Sequence, residues 1–260
     1  MARATQSELL EQRIAENAAA QEIDLPTWIF ERVLVHPGDQ ILELCCGTGG
    51  QTLALLDRVG QEGRVVGLDV SRSALDTLAA RAGAGSRLTC VEARLEEFPA
   101  ALERARVEIE FFDLIFCAYG LYYSENAEQT LEHAKAKLTP GGRIVIVGPF
   151  GPNNKPLFDL VRASGAVLSE AVINSSQLFM SHTVIPWGAC NFETLSIETM
   201  VNPVRWNSPE RVVNYWKNTT FYDASRLELF ESLLHRHFLK ESVFINQKWV
   251  MLVEMSDARR

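Results

Sequence analysis

Five short apolar runs, at residues 41–45, 65–70, 88–91, 114–118 and 144–147, alternate with helix-patterned stretches at 52–59, 73–81 and 126–138. This rhythm is the feature that most limits what the chain can become. Strands that are apolar on both faces and separated by helices predict a parallel sheet covered by helices on each side. Ser71 is placed to cap the second of those helices, and Pro140-Gly141-Gly142 reads as a stop followed by a turn. Residues 36–150 are therefore expected to form an α/β doubly wound core.

The flanking regions are patterned differently. Residues 7–20 place Leu10, Ile14 and Ala18 at helical spacing, and a short helix is expected after Pro26. After Pro149 the chain becomes rich in Gly, Pro and Asn, then predicts a helix over 157–168, an irregular stretch up to residue 194, a strand over 195–206, helices over 209–216 and 224–237, and a last strand over 248–254. These two late strands would bring the sheet to seven, with an antiparallel edge. The expected organisation is one overall domain: a helical cap at 1–35, the core at 36–150, and a remainder at 151–260 that completes the sheet and inserts lid helices.

Charge and cysteine usage narrow the function classes. With 33 acidic against 25 basic side chains the net charge is −8. An acidic surface repels phosphate backbones and anionic lipid, which disfavours nucleic-acid and membrane partners. The five cysteines, Cys45, Cys46, Cys90, Cys117 and Cys190, show no CxxC spacing, so neither a disulfide framework nor a zinc site is expected. No run approaches the roughly 20 apolar residues that span a bilayer, and the first residues lack a signal-peptide core. The expected setting is cytoplasmic, as monomer or homodimer.

The chemistry concentrates where the strands end. Residues 41–50, ILELCCGTGG, pair a buried strand carrying Glu43 with a glycine-rich turn that lets backbone approach a ligand. In an open α/β sheet, ligands bind at the carboxyl ends of the strands. Asp69 and Glu92 end the next two strands, so three successive strands present acids near that edge. Thr52 stands where a dinucleotide GxGxxG turn needs its third glycine, and no GxxxxGK[ST] is present. An NAD(P)-dependent oxidoreductase is thereby disfavoured.

The blocks ILELCCGTGG, VVGLDVS, FFDLIFCAYGLYY and LTPGGRIVIVGP, in this order, resemble the signature blocks of class I S-adenosylmethionine-dependent methyltransferases over about residues 35–150. The resemblance implies a mostly parallel, seven-stranded, Rossmann-like sheet. It implies that Gly47, Thr48 and Gly49, flanked by Cys46 and Gln51, pack under the methionine moiety of S-adenosylmethionine, and that Glu43 lies near its amino group. It further implies that Asp69 holds the ribose hydroxyls, that Val70 meets the adenine, that Glu92, Ala93 and Arg94 meet the adenine edge, and that Cys117 and Ala118 lie beside the sulfonium. Two departures stand out, because Glu43 replaces the usual aspartate and Cys45 replaces the first glycine of the turn.

Methyl transfer needs alignment more than a nucleophile on the protein, since proximity alone supplies roughly 7 to 11 kcal/mol of the barrier. Tyr119, Tyr122 and Tyr123 follow the fourth strand and are candidates for contact with the sulfonium or a small-molecule acceptor. His182, in FMSHTVIPW, is a candidate general base, and Trp187 a candidate acceptor contact. Asn153, Asn154 and Asp159 are the only clustered oxygen donors in the region and are expected to serve as a turn and helix cap, with no metal. The expected activity is small-molecule methylation yielding S-adenosylhomocysteine. The alternative is a catalytically silent partner subunit of the same fold.

Overall fold

The computed structural model describes residues 16–259. The core contains β1 (Gln40–Leu44), β2 (Arg64–Asp69), β3 (Leu88–Glu92), β4 (Phe112–Ala118) and β5 (Leu138–Pro149), joined by α1 (Thr52–Val59), α2 (Arg72–Ala82), α3 (Phe98–Arg104) and α4 (Ala127–Ala136). β1 pairs in parallel with β2 and β4, β2 with β3, and β4 with β5. Two long strands, β6 (Phe192–Trp206) and β7 (Phe244–Ala258), complete a seven-stranded sheet of order β3-β2-β1-β4-β5-β7-β6. The sheet is mostly parallel, with antiparallel last strands.

The apolar runs became strands for the expected reason. Ile41, Leu42, Leu114, Ile115, Phe116, Val65 and Val66 are all fully buried, because helices cover both faces of the sheet. Ser71 caps α2 by accepting the Ala74 N–H at 3.3 Å, and Asn126 caps α4 by accepting the Gln129 N–H at 3.0 Å. Pro140-Gly141-Gly142 does not stop the chain. It lies within β5, where the ladder to β4 slips between Phe112 and Leu114 and Gly141 takes φ +82°.

The described residues divide into two compact units that exchange chain segments. One holds Leu25–Gly148, Phe179–Glu198 and residues 251–259, and the other residues 16–24, Pro149–Leu178 and Thr199–Val250. The helix expected over 7–20 lies mostly outside the described residues, although Glu16, Asn17 and Ala18 are helical. A short helix spans Leu25–Phe30 with Trp28, Ile29 and Phe30 buried.

Residues 170–191, expected to be irregular, are instead helical: two α segments at Glu170–Ile173 and Ile185–Asn191 bracket π-type turns at Asn174–Leu178 and Met180–Val184. Ser, Thr, Asn and His dominate the turns, and such polar side chains compete for backbone groups, which masked the helical signal. Gly148 makes room for this segment, since a Cβ there would stand 2.9 Å from the Met180 sulfur.

The second unit packs Trp206, Trp216, Phe230 and Val212 around a fully apolar centre, with the Trp216 and Phe230 rings stacked at 4.0 Å. Its polar staple is Asn153 and Asn154, just before a helix at Lys155–Ala163. Asn153 accepts the Trp249 N–H at 3.1 Å; Asn154, at φ +60°, accepts from Asn246 at 2.8 Å and from the Lys248 ammonium at 2.7 Å. Lys248 also reaches the Tyr215 hydroxyl at 2.6 Å. Asp159 pairs with Lys155 and Arg162. Asn153 and Asn154 thus tie the turn to β7, and Asn154, expected to cap the helix, stands at its N-cap position without a side-chain capping bond.

Gly63, in the turn before β2, is enclosed by backbone: a Cβ there would lie 2.7 Å from the Val59 carbonyl oxygen and 2.8 Å from that of Asp39. Gly63→Ala is expected to destabilise the fold by about 1 to 3 kcal/mol, read as a lower urea midpoint with an unchanged slope.

Candidate functional site

The strand order reverses direction between β1 and β4, and the carboxyl ends of these two strands therefore open the crevice in which an α/β sheet binds its ligand. Leu44 pairs with Cys117, so the chain leaving β1 and the chain leaving β4 emerge side by side. Everything sequence analysis assigned to the cofactor lies at this edge or on β2 and β3 beside it.

The turn after β1 is built by backbone constraint. Cys45 takes φ +59°, Gly47 +53° and Gly49 +89°, conformations that suit glycine best. At Gly49 a Cβ would meet the Leu78 methyl at 2.3 Å, while at Gly47 nothing lies within 4 Å. Gly49 is thus a packing requirement, and Gly47 leaves open space in front of the turn. Beneath it, Cys46, Leu75 and Leu78 form a small buried cluster with Leu53, Leu88 and Cys90 at its edge. Arg81 donates to the Thr48 carbonyl at 2.6 Å, tying the turn to α2.

Asp69 fastens the turn from the other side. Its Oδ2 accepts the Gly47 N–H and its Oδ1 the Ser71 N–H, both at 2.9 Å. Sequence reasoning gave Asp69 a ligand role only; the carboxylate is also a structural brace. Each oxygen keeps a second lone pair for a hydroxyl donor. Val70, the next residue, is 51 % exposed, an unusual position for a valine in this core. Asp69 pairs with Glu92, which is exposed, and the Ala93 N–H reaches the Asp69 carbonyl at 3.0 Å. Arg94 is exposed and paired with Glu96 and Glu125.

Glu43 is the most unusual side chain of the site. It sits in the central strand at 2 % exposure, opposite Gly67 on one side and Phe116 on the other, and its Oε2 has no hydrogen-bond partner. Burial, reinforced by the charge of Asp69 and offset in part by the Thr52 hydroxyl, pushes its carboxyl up to about 8. A neutral acid is the stable form in such surroundings.

Cys45 explains how a turn that favours glycine accommodates a cysteine. Its side chain lies against Gly120, where a Cβ would stand 2.2 Å from the Cys45 Cβ and 3.3 Å from the Cys117 sulfur. Contact with the Cys117 thiol, then burial, drive the Cys45 thiol well above its ordinary range. Burial, followed by Glu43 and Asp69, does the same for Cys46. Cys46 and Cys117 are buried and Cys45 half-buried, and all three fill space in the packing. Gly120 had no assigned role in the sequence; a glycine directly after a strand end was the signal.

After β4 the chain runs through Tyr119, at φ +57°, into a single 3₁₀ turn at Leu121–Tyr123. The Tyr122 ring packs edge-on against Tyr123 at 4.7 Å and against Phe179 at 6.0 Å, forming an aromatic wall at the strand end. Glu96 holds the far side of this turn by accepting from the Ser124 hydroxyl at 2.8 Å and the Glu125 N–H at 2.5 Å. Phe179 and Glu96 were not singled out from the sequence, because partners so distant along the chain leave no local pattern.

His182 and Trp187 are not brought to this wall by any contact. The His182 side chain is exposed. Trp187 is buried at 7 % exposure, gives its indole N–H to Glu132 at 3.0 Å and packs on Phe192, which makes it a core residue. Gln51 precedes α1 without capping it.

Two outcomes are expected. Gly120→Ala alone should cost about 1 to 3 kcal/mol, and adding Cys45→Gly should recover most of it, because glycine removes the clash and accepts φ +59°; a denaturation double-mutant cycle measures the coupling. A carboxyl whose folded value lies above its unfolded value of 4.5 favours the fold fully below that pH and loses its contribution as the pH rises toward 8. The unliganded protein should therefore lose up to about 1.4 kcal/mol per pH unit across this window, and Glu43→Gln should flatten the slope.

Residues 41–142 match the methyltransferase domain family. Among similar proteins, a demethylmenaquinone methyltransferase of Lactobacillus johnsonii is 34% identical over 125 residues, 48% of this chain and 50% of that one. A 2-phytyl-1,4-naphtoquinone methyltransferase of Trichormus variabilis is 34% identical over 122 residues, 46% of this chain and 50% of that one. The chain thus matches about half the length of these relatives. Among solved structures, a putative methyltransferase from Bacillus halodurans superposes with a TM-score of 0.60 at 12% identity, covering 90% of this chain and 99% of that one. The YcgJ protein of Bacillus subtilis gives 0.59 at 12% identity, covering 90% and 98%. The strand order and the turn after β1 agree with these likenesses, and residues 41–142 are similar to methyltransferase domains over that span.

Proposed function

We propose that the protein is an S-adenosylmethionine-dependent methyltransferase acting on a small-molecule acceptor. The observation that carries this is the crevice between β1 and β4: a glycine turn open at Gly47, a buried acid with an unpartnered oxygen at Glu43, and a two-oxygen acceptor at Asp69. These donors and acceptors suit a ligand with a cationic amino-acid end and a ribose diol. When bound, the cofactor supplies a methyl group on a sulfonium.

The residues divide the labour by chemistry. Glu43 faces the amino-acid end, and the Gly47-Thr48-Gly49 backbone with Cys46 and Gln51 forms the floor. Asp69 accepts from the ribose hydroxyls with the lone pairs its structural bonds leave over. Val70, Ala93, Glu92 and Arg94 border the base, and Cys117 and Ala118 border the reacting centre. Tyr122 and Tyr123, with Phe179, form the wall we assign to the sulfonium and acceptor, where cation–π contact is worth about 0.5 to 2 kcal/mol. His182 and Trp187 carry no role here. Alignment and exclusion of water supply most of the catalysis.

The half of the chain shared with the quinone-directed relatives is the cofactor half, so those relatives support the cofactor more strongly than the acceptor. Demethylmenaquinone and 2-phytyl-1,4-naphthoquinone are the first acceptors to test. Five unpaired cysteines support a reducing, cytoplasmic setting.

Isothermal titration should show S-adenosylmethionine and S-adenosylhomocysteine binding to the wild type. Asp69→Asn, which loses the charge and one acceptor, should weaken both by roughly 10- to 100-fold. Absence of binding by the wild type would overturn the proposal.

A further inference from the structure

We infer that Glu43 gives up its proton when the amino-acid end of the cofactor binds, so that loading this crevice is coupled to proton release. The inference rests on the cofactor proposed above and concerns what the empty and the filled site do to one carboxyl group.

Every element packed against Glu43 leaves its charge uncompensated. Across the sheet, β2 presents Gly67 and β4 presents Phe116, neither of which carries charge. The end of β2 adds the carboxylate of Asp69, and the turn adds the Cys46 thiol, itself pushed upward. Helix α1 contributes only the Thr52 hydroxyl. Among the described residues no lysine, arginine or histidine pairs with Glu43, and Oε2 remains unpartnered at 2 % exposure. An ionised carboxylate in these surroundings carries the full cost of desolvation, so the empty site holds a carboxylic acid at neutral pH.

An ammonium group brought against Glu43 reverses that balance, because an opposite charge within about 4 to 6 Å favours the ionised form. The carboxyl O–H bond breaks, its electron pair stays on oxygen, and the proton leaves to solvent. The ligand's ammonium keeps all its protons, so the net change is one proton released for one ion pair formed. Glutamate rather than aspartate at this position adds one methylene of reach from the strand. The arrangement keeps an unpaired charge out of the sheet until a cation arrives to meet it.

Coupling of this kind has a thermodynamic signature separate from turnover. Titration of S-adenosylhomocysteine at pH 7 in phosphate, HEPES and imidazole, whose ionisation enthalpies differ, should show an apparent enthalpy that varies linearly with the buffer and reports release of close to one proton. The affinity should rise up to about tenfold per pH unit between roughly pH 6 and 7.5, where the ligand's own amino group stays charged. 5′-Methylthioadenosine, which has the nucleoside but no amino acid, should bind with no proton release. In Glu43→Gln the release should vanish while weaker binding remains.

Wild-type binding with the same enthalpy in all three buffers would overturn the inference and leave the cofactor proposal standing. So would a Glu43→Gln protein that releases protons like the wild type. No binding of S-adenosylhomocysteine at any pH from 6 to 9 would bring down the cofactor proposal and this inference together.

Discussion

The site depends on one carboxylate that accepts from backbone on two sides. Asp69 joins the Gly47 N–H of the turn after β1 to the Ser71 N–H that opens α2, and so fixes the distance between the first two strand ends. Charge-assisted bonds to backbone N–H groups are among the stronger hydrogen bonds available to a protein. With this brace in place the Gly47-Thr48-Gly49 backbone is held in its left-handed course, and the open space in front of Gly47 keeps its shape. Binding can then draw on a preformed surface rather than order a loose one.

Around the brace, residues are matched in pairs rather than chosen singly. Gly49 is bare because Leu78 fills the position of its side chain, and Gly120 is bare because Cys45 fills its own. Gly67 lies against Cys46 in the same way, with the sulfur 3.1 Å from where its Cβ would be. The cysteines in this region are spacers whose polarity matters little, which agrees with the upward shifts of Cys45 and Cys46. A departure from the usual glycine at position 45 is therefore absorbed just past the end of the neighbouring strand, β4.

Much of this was legible in the sequence, and the parts that were not share a cause. Period and polarity run along the chain, so β1 to β5, the cap at Ser71 and the acids at 43 and 69 could be read directly. Contacts between distant segments leave no such trace. The Tyr122–Phe179 pair, the Trp187–Glu132 bond and the Cys45–Gly120 fit each join residues more than 50 apart. Pro140-Gly141-Gly142 misled because a bulged strand and a turn use the same residues. Residues 170–191 misled because π-type turns tolerate the polar side chains that ordinarily mark loops.

The staple at Asn153 and Asn154 carries a consequence for the order in which the molecule is assembled. Its partners Asn246, Lys248 and Trp249 come more than 90 residues later, on the final strand. During synthesis the Asn153 and Asn154 side chains lack these partners until that strand emerges, although the Asn153 carbonyl already has the Gln177 amide. Completion of the staple is therefore a late event, and a chain halted before residue 244 would present its apolar cluster of Trp206, Trp216 and Phe230 without Phe244, the last ring that packs into it.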